Sequence, residues 1–409
     1  MVQSGEVQRA SEHATSPRRT WLSKLTLTDF RNYRAGTLRA APGPVVLVGS
    51  NGAGKTNCLE AISLLTAGRG LRSLPFAELT RSGGAGGWAV YAHLHAGEKT
   101  SEIGTGIQLP PDGILSARAA RTVKIDHLLA KGSGVLARIR MLWLTPAMDS
   151  LFTGPASERR RFLDRLALGL APAYATAAAT FDRAMRQRNK ALETIAPPHL
   201  LASLEAQMAE MGVAIASARH GAINALASEI IEERDRAPQS VFPWARLSLT
   251  GYLEGQIGST APRAIIESYE QLLAAGRERD RAAGRTLTGP HRSDLEVIHG
   301  PKDMPAKMCS TGEQKALLVG LVLAQARLIK KASGGLSPLI LLDEIAAHLD
   351  FDRRLALFSS IADLNAQVWM TGTDTDIFTP LRDIASAQFF LVSNGAFVPE
   401  DDAESPSKH

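Results

Sequence analysis

The residues best suited to chemistry form one continuous run near the start of the chain, from Gly49 to Thr56. The run fits the pattern G-x-x-x-x-G-K-[ST], in which backbone N–H groups cradle a phosphate, a lysine neutralises its oxygens and a hydroxyl binds Mg²⁺. With the asparagine that follows, the predicted nucleotide-binding set is Gly49, Ser50, Asn51, Gly52, Ala53, Gly54, Lys55, Thr56 and Asn57. The expected cofactors are therefore ATP and Mg²⁺, with Thr56 as a metal ligand.

Two adjacent acids end an apolar run later in the chain. Leu339–Leu342 is followed by Asp343 and Glu344, so a buried strand would deliver both carboxylates to its carboxyl edge, beside the phosphate loop. In this Walker B pattern Asp343 holds Mg²⁺ and Glu344 is the general base for the attacking water. Alone, the acids could equally be a solvated pair. The phosphate loop upstream favours catalysis, with Lys55, Asp343 and Glu344 as the catalytic residues.

A third motif occupies residues 309–314, which read C-S-T-G-E-Q and precede a helix-like stretch. It resembles the signature of ABC ATPases, whose Ser and Gly cap the γ-phosphate of a nucleotide held by a second subunit. By itself the run would predict an ordinary helix N-cap. Asp350 resembles the D-loop aspartate of the same superfamily. The resemblance implies a head-to-tail homodimer closed on two ATP molecules, with a dimer-facing set of Ser310, Gly312, Gln314 and Asp350.

Hydrophobic periodicity predicts the elements that must position these motifs. Residues 21–48 are strand-like, and residues 45–48 are wholly apolar, as in a buried parallel strand. Residues 156–281 are rich in Ala, Leu, Glu and Arg, which predicts long helices and a helical hairpin interrupted by a strand-like segment at 241–252. Alternation of strands and helices returns from Thr286. We predict an α/β protein, an ABC-type P-loop ATPase head with an inserted, mainly helical second domain.

Changes in composition along the chain give the predicted domain limits. The head is assigned to residues 21–150 and 282–400, and the helical arm to residues 151–281. The polar segments 1–20 and 401–409 are predicted to be disordered tails.

The composition excludes several classes of protein. Of 409 residues, 44% are hydrophobic and 21% are charged, and no segment approaches the roughly 20 apolar residues of a membrane span. Cys58 and Cys309 are the only cysteines, which is typical of reduced thiols in the cytoplasm. His93 and His95 share a predicted strand face and could ligate a metal, but a solvent-facing sheet is favoured because no third ligand is apparent.

Four further blocks resemble the RecF family of DNA repair proteins. Residues 25–33 read L-T-L-T-D-F-R-N-Y, like the strand that opens RecF proteins. Residues 154–164, 183–189 and 288–295 resemble later RecF blocks. The resemblance extends from about residue 22 to residue 398, so it covers almost the whole chain.

Some positions depart from related patterns. Ala147 and Ser293 stand where RecF proteins usually carry acids. Residues 371–374 read T-G-T-D, as in RecF proteins, where ABC transporters carry a switch histidine. A Q-loop is sought in residues 69–81.

The resemblance implies an ATP-dependent DNA-binding protein of recombinational repair and replication restart. RecF proteins bind single-strand DNA and gapped or junction duplexes, and with RecR and RecO they promote RecA loading onto SSB-covered DNA and the SOS response. The enzyme expected is a weak, DNA-stimulated ATPase in which slow hydrolysis triggers release. One alternative is a DNA-binding clamp for which ATP is chiefly a dimerisation ligand. Another is a transporter ATPase subunit, which the RecF-like blocks disfavour.

Basic residues on the predicted arm are the candidates for contacts with DNA phosphates, which need only a basic face. The main candidates are Arg159, Arg160, Arg161 and Arg186, and the wider set adds Arg183, Arg188 and Lys190. The alternative is a set of solvated helix faces, because three consecutive arginines point in three directions around a helix. The formal charge of +5 is compatible with a polyanionic partner.

Overall fold

The computed structural model describes residues 19–84, 86–108, 120–130, 134–135 and 138–400. Apart from residues 19 and 20, the predicted tails lie outside these ranges. The strands are β1 (Thr20–Phe30), β2 (Tyr33–Arg39), β3 (Val45–Val48), β4 (Trp88–Ala96), β5 (Lys99–Ile107), β6 (Thr122–Ile125), β7 (Leu128–Leu129), β8 (Met141–Leu144), β9 (Ala245–Thr250), β10 (Asp294–His299), β11 (Met304–Pro305), β12 (Leu339–Leu342), β13 (Val368–Gly372), β14 (Gln388–Ser393) and β15 (Ala396–Pro399). The α-helices are α1 (Lys55–Ser63), α2 (Ala156–Leu170), α3 (Tyr174–Glu193), α4 (Pro198–Arg236), α5 (Pro262–Ala275), α6 (Arg277–Ala282), α7 (Thr311–Ala332), α8 (Phe351–Leu364) and α9 (Thr379–Ala385).

A mainly parallel sheet forms the centre of the head. Within the described residues its strand order is β15-β14-β3-β13-β12-β8, and only β15 pairs antiparallel. Strands β3 and β12 are buried at every position because both faces of the sheet are covered, which explains their unbroken apolar sequences. The carboxyl ends of β3, β8, β12 and β13 therefore meet at one edge of the sheet.

An antiparallel sheet of order β2-β1-β4-β5-β6-β7 packs against the central sheet. The two sheets are joined through Gln367, whose side chain is 1% exposed. Its Oε1 accepts hydrogen bonds from the backbone N–H of Leu22 at 2.8 Å and from Trp369 Nε1 at 3.0 Å. Its Nε2 donates to the Leu22 carbonyl at 3.1 Å. Because the donor and the acceptor of this buried amide are both satisfied, Gln367 fixes β1 against the central sheet.

The arm lies between the two halves of the head and contains α2 to α6. Helix α4 has 39 residues, or about 58 Å at 1.5 Å per residue. Arg188 of α3 bonds Glu205 of α4, and Arg219 of α4 bonds Tyr174 of α3, so the two helices run antiparallel. The predicted helical hairpin is confirmed. The predicted strand-like segment is β9, which follows α4 rather than interrupting the hairpin, and it pairs with β10 in a small third sheet.

The side chain of Arg188 is the polar centre of the arm. It is 0% exposed and lies against two carboxylates, bonding Glu205 at 3.0 Å and Asp280 at 2.8 Å. It also donates to Thr286 Oγ1 and to the Leu273 carbonyl. The prediction that Arg188 contacts DNA is therefore wrong. The sequence pattern placed it among surface arginines, whereas the tertiary fold brings acids from α4 and α6 to it.

Replacing Arg188 with methionine is expected to destabilise the protein by about 3–5 kcal/mol, because it leaves the buried Asp280 without its cation and leaves Glu205 with Arg277 alone. Urea unfolding followed by circular dichroism measures the change. The matched control is Arg186→Met in the same helix, whose 69% exposed side chain makes a surface pair with Asp182 and should cost about 0.5 kcal/mol or less. Equal losses of stability in the two variants would contradict the assignment.

Candidate active site

The phosphate loop connects β3 to α1 and adopts the backbone that its glycines permit. Gly52 and Gly54 have φ values of 82° and 117°, in the left-handed region. A Cβ on Gly54 would lie 2.5 Å from Asn32 Nδ2, so a side chain there would collide with the turn between β1 and β2. Gly54 is the N-cap of α1. The free N–H groups of that helix terminus, with its positive potential, form a cradle for an anion.

The ammonium group of Lys55 binds backbone carbonyls at the start of the phosphate loop. It donates to the Gly49 carbonyl at 2.6 Å and to the Ser50 carbonyl at 2.9 Å, and the residue is 4% exposed. Burial lowers the pKa of Lys55, against the opposing effect of the Glu344 and Asp343 carboxylates. A cation held mainly by two carbonyls is suited to exchange them for phosphate oxygens.

The carboxylate of Asp343 brings three segments together. Its Oδ1 accepts hydrogen bonds from Thr56 Oγ1 and from Thr371 Oγ1, each at 2.8 Å. Thr371 in turn accepts a hydrogen bond from the backbone N–H of Glu344 at 2.9 Å. Thr56 and Asp343 therefore present adjacent oxygen ligands of the kind Mg²⁺ prefers. Sequence reasoning missed Thr371 as a site residue, although its position at the end of β13, beside β12, was a usable signal.

Glu344 has an unusual backbone, with φ of 56°. Such a conformation costs a non-glycine residue about 1–3 kcal/mol and is found most often at functional sites. The side chain is partly exposed and, among the described residues, accepts no hydrogen bond. Its carboxylate is thus available to water.

The F-R-N-Y turn between β1 and β2 holds the phosphate loop from behind. Asn32 Nδ2 donates to the Ala53 carbonyl at 2.9 Å, and its Oδ1 accepts from Asn57 Nδ2 at 2.8 Å. The Tyr33 hydroxyl donates to the Gly54 carbonyl at 3.0 Å, and burial raises the pKa of Tyr33. In the sequence this motif is apparent only as a resemblance to the RecF family. Its physical role is to fix the loop that holds the predicted phosphate site.

The signature-like segment forms an exposed surface with the predicted D-loop. Ser310 caps α7 through a capping box with Glu313, and Asp350 caps α8. Arg353 Nη1 lies 3.2 Å from Asp350 Oδ2, and its guanidinium also approaches Gly312. Ser310, Gly312 and Asp350 are exposed.

Gln314 lies beneath that surface. It is 7% exposed and donates to the Cys309 carbonyl at 2.8 Å. The prediction that Gln314 faces a partner's nucleotide is therefore wrong. Its amide is used to support the turn that precedes α7.

A cavity of about 440 Å³ opens beside the metal-ligand pair. Thr56, Asp343 and Glu344 line one wall. Two loops also line the cavity: residues 71–73, within the stretch where a Q-loop was expected, and residues 145–148, which follow β8. No glutamine or histidine is among the described residues around this cavity. Three residues of the 69–81 stretch thus border the site, and the assignment of a Q-loop to that stretch stays a prediction.

The predicted DNA-contacting arginines have different environments. Arg159 bonds both carboxylate oxygens of Asp294 at 2.8 Å, and Arg160 donates to the Ser293 carbonyl at 2.8 Å, so both hold α2 against β10. Arg161 is exposed but lines the cavity beside Glu344.

The histidines of β4 are engaged in ordinary sheet contacts. His93 Nε2 lies 2.9 Å from the Tyr91 hydroxyl, and His95 stacks on Trp21 with ring centroids 4.2 Å apart. Among the described residues, no group of three or more His, Cys, Asp or Glu side chains could hold a metal ion. None of the described helices is long and apolar enough to cross a bilayer.

Comparisons with known proteins agree with this geometry. The family model described as the RecF/RecN/SMC N-terminal domain matches residues 21–389. The chain is 51% identical over 389 residues to "DNA replication and repair protein RecF" of Mesorhizobium japonicum, covering 95% of this chain and 100% of the relative. It is 50% identical over 381 residues to the protein of that name in Rhizobium rhizogenes, covering 93% and 98%.

Solved structures with the same fold extend the comparison. A structure described as the recombination mediator protein RecF with ATPγS ("RecF-ATPrS") in the RecFOR pathway matches with a TM-score of 0.80 at 20% identity, over 94% of this chain and 99% of that one. The head of a Pyrococcus furiosus Smc protein matches with a TM-score of 0.50 at 17% identity, over 94% and 98%.

The fold and the motifs define an ABC-type ATPase head of the RecF/RecN/SMC class, with a helical insertion. Within that class, the chain belongs to the RecF family. The predicted fold class is therefore confirmed.

Removing the hydroxyl of Tyr33 tests the support of the phosphate loop. Tyr33→Phe removes one of the two hydrogen bonds that the Gly54 carbonyl accepts, the other coming from the backbone N–H of Cys58 at 2.9 Å. ATP binding is therefore expected to weaken by about 1 kcal/mol, roughly fivefold in Kd. Isothermal titration calorimetry measures it. Tyr252→Phe is the control, because that hydroxyl bonds Ser268 on the exposed surface of the arm. An unchanged Kd for Tyr33→Phe would contradict the proposed support.

Proposed function

We propose that the chain binds ATP with Mg²⁺, closes as a head-to-tail homodimer, binds DNA in that state and hydrolyses ATP slowly. The observation that carries the proposal is the convergence of Lys55, Thr56, Asp343 and Glu344 at one edge of the parallel sheet. The solved RecF structures described with ATP or ATPγS support the same nucleotide.

Each of these side chains has a distinct role in the proposal. Lys55 exchanges its two carbonyl partners for β- and γ-phosphate oxygens. Thr56 and Asp343 would hold Mg²⁺, which would neutralise the charge of the phosphates. Glu344 accepts the proton of the attacking water, since its carboxylate accepts no hydrogen bond from the described residues. This free base favours an ATPase over a clamp that uses ATP only to dimerise.

The exposed surface around the signature supports the dimer. Ser310 and Gly312 lie at the N-terminus of α7, where backbone N–H groups favour an anion. Met308 and Phe351, 66% and 61% exposed, are adjacent in sequence to the signature and to Asp350. Exposed apolar side chains beside a helix N-terminus that favours an anion are suited to a second copy, whose ATP would complete the contact.

Three basic residues of α3 are the best-supported contacts with DNA. Arg183, Arg186 and Lys190 are exposed, and their spacing puts them on one face of the helix. Arg186 pairs with Asp182 at 2.7 Å and Lys190 with Glu193 at 3.0 Å. Exposed pairs of this kind are weak, so DNA phosphates can replace them. Arg159 and Arg160 are already engaged by the protein, which makes them poorer candidates.

The family membership suggests the biological setting. The curated relatives are named as DNA replication and repair proteins, and a solved relative is described as a mediator of the RecFOR pathway. The proposal accordingly includes gapped and single-strand DNA as ligands, RecR and RecO as partners in RecA loading, a contribution to the SOS response, and a cytoplasmic location.

The function is tested by binding of a fluorescent gapped duplex with ATP, with ADP and without nucleotide at one stated salt concentration, together with light scattering. The proposal requires that dimers and DNA binding appear with ATP and not with ADP. Absence of DNA binding under every nucleotide condition would exclude it.

Glu344→Gln is expected to lower the rate of ATP hydrolysis by at least about 100-fold, because general-base catalysis contributes about that much, and to prolong the ATP dimer. Phosphate release and light scattering measure the two effects. Glu278→Gln is the control, since it makes the same chemical change on an exposed part of the arm. Undiminished hydrolysis in Glu344→Gln would rule out its role as base.

Lys55→Arg should abolish ATP-dependent dimerisation.

A further inference from the structure

Helix α2 opens the arm, and its sequence divides it into two charged faces. Arg160 and Asp164 are four residues apart, and so are Arg161 and Arg165. Side chains at that spacing lie on the same helix face. Two like charges at that spacing destabilise a helix slightly unless a counter-charge is present. A negatively charged group near Arg161 and Arg165 would offset the repulsion between them.

The first of these faces is fully used by the protein. Arg160 donates to the Ser293 carbonyl at 2.8 Å. Asp164 pairs with Arg219 of α4 at 2.7 Å. These bonds fix α2 to the arm and to the segment that leads into β10.

The second face lines the cavity beside Asp343 and Glu344. Arg165 lies over the Trp143 ring, 5.1 Å from its centroid, and its hydrogen bond in the described structure is a weak one of 3.7 Å to Met148 Sδ. Neither Arg161 nor Arg165 forms an ion pair within 4.0 Å among the described residues. Burial lowers the pKa of Arg165 to about 10; the Asp164 carboxylate opposes this shift, and the charge of Arg161 adds to it.

The other charged side chains around this cavity have partners or a separate role. Arg72 bonds Asn57 at 2.9 Å and Glu60 at 3.1 Å. Glu158 accepts a hydrogen bond from Ser150 at 3.3 Å. Asp343 is held by two threonines as described above. Among the described residues the two arginines of α2 thus have no anionic partner, and they line the same cavity as Thr56, Asp343 and Glu344.

We infer that Arg165, assisted by Arg161, binds the γ-phosphate of the ATP held by the same chain. This inference rests on the proposed ATP site and adds a contact that distinguishes ATP from ADP. Guanidinium groups suit this task because they bind phosphate oxygens through several N–H donors at once.

The contact has a consequence for the arm. Since α2 is bonded on its other face to Arg219 and to the residues before β10, a pull on Arg165 is transmitted to both. We therefore expect the position of α2, and with it that of the arm, to depend on whether a γ-phosphate is bound.

The test compares the Kd of ATPγS and of ADP, both with Mg²⁺, by calorimetry. Arg165→Gln is expected to weaken ATPγS binding about tenfold or more, the effect of losing a charged hydrogen bond, with ADP changed less than about twofold. Arg161→Gln should show a smaller change of the same kind, and Arg165→Lys should restore part of the selectivity. Arg263→Gln is the control, since its 91% exposed side chain lies on α5.

An unchanged ratio of the two Kd values in Arg165→Gln and Arg161→Gln overturns the inference. So does an equal loss for both nucleotides in a variant that keeps the wild-type melting temperature, because a purely structural role would affect both. If Arg165→Gln does not fold, the exposed Arg161 and the conservative Arg165→Lys decide the matter by the same ratio. Failure of the wild type to bind either nucleotide would instead refute the proposed function itself.

Discussion

One carboxylate oxygen, Oδ1 of Asp343, holds the two sides of the candidate site together. It accepts hydrogen bonds from Thr56 at the start of α1 and from Thr371 at the end of β13. These residues are far apart in the sequence, and they meet because parallel strands deliver their carboxyl ends to one edge of a sheet. The same buried carboxylate, 5% exposed, would then be a ligand for the metal ion. Structure and proposed chemistry thus depend on the same contact.

The surrounding protein makes this contact rigid from two directions. Asn32 and Tyr33 hold the phosphate loop through its carbonyls, and Gln367 ties their strand to the central sheet. On the other side, α2 closes the cavity with Arg161 and Arg165. A site built on rigid elements keeps its geometry better than one on loops alone. The arm is attached to the site through α2, so its position can depend on the nucleotide.

Local motifs were predictable from the sequence, whereas long-range partners were not. The phosphate loop, the acids after β12 and the helical hairpin follow from patterns of a few residues, and the fold agrees with them. Thr371 was missed because its importance arises from neighbours on other elements. Arg188 and Gln314 were misplaced for a related reason, since composition and motif spacing do not report burial. The T-G-T-D segment at the end of β13 is notable in the sequence for the histidine it lacks, yet its first residue, Thr371, is the one bonded to Asp343.

The most direct test of the central contact is calorimetric binding of ATP with Mg²⁺ and with EDTA, in the wild type and in Asp343→Asn. Because the carboxylate is expected to hold the metal ion, Mg²⁺ should tighten binding to the wild type by about tenfold, and it should have little effect on Asp343→Asn. If Mg²⁺ tightens binding equally in both proteins, Asp343 is not the residue that joins the phosphate loop, the metal ion and the nucleotide.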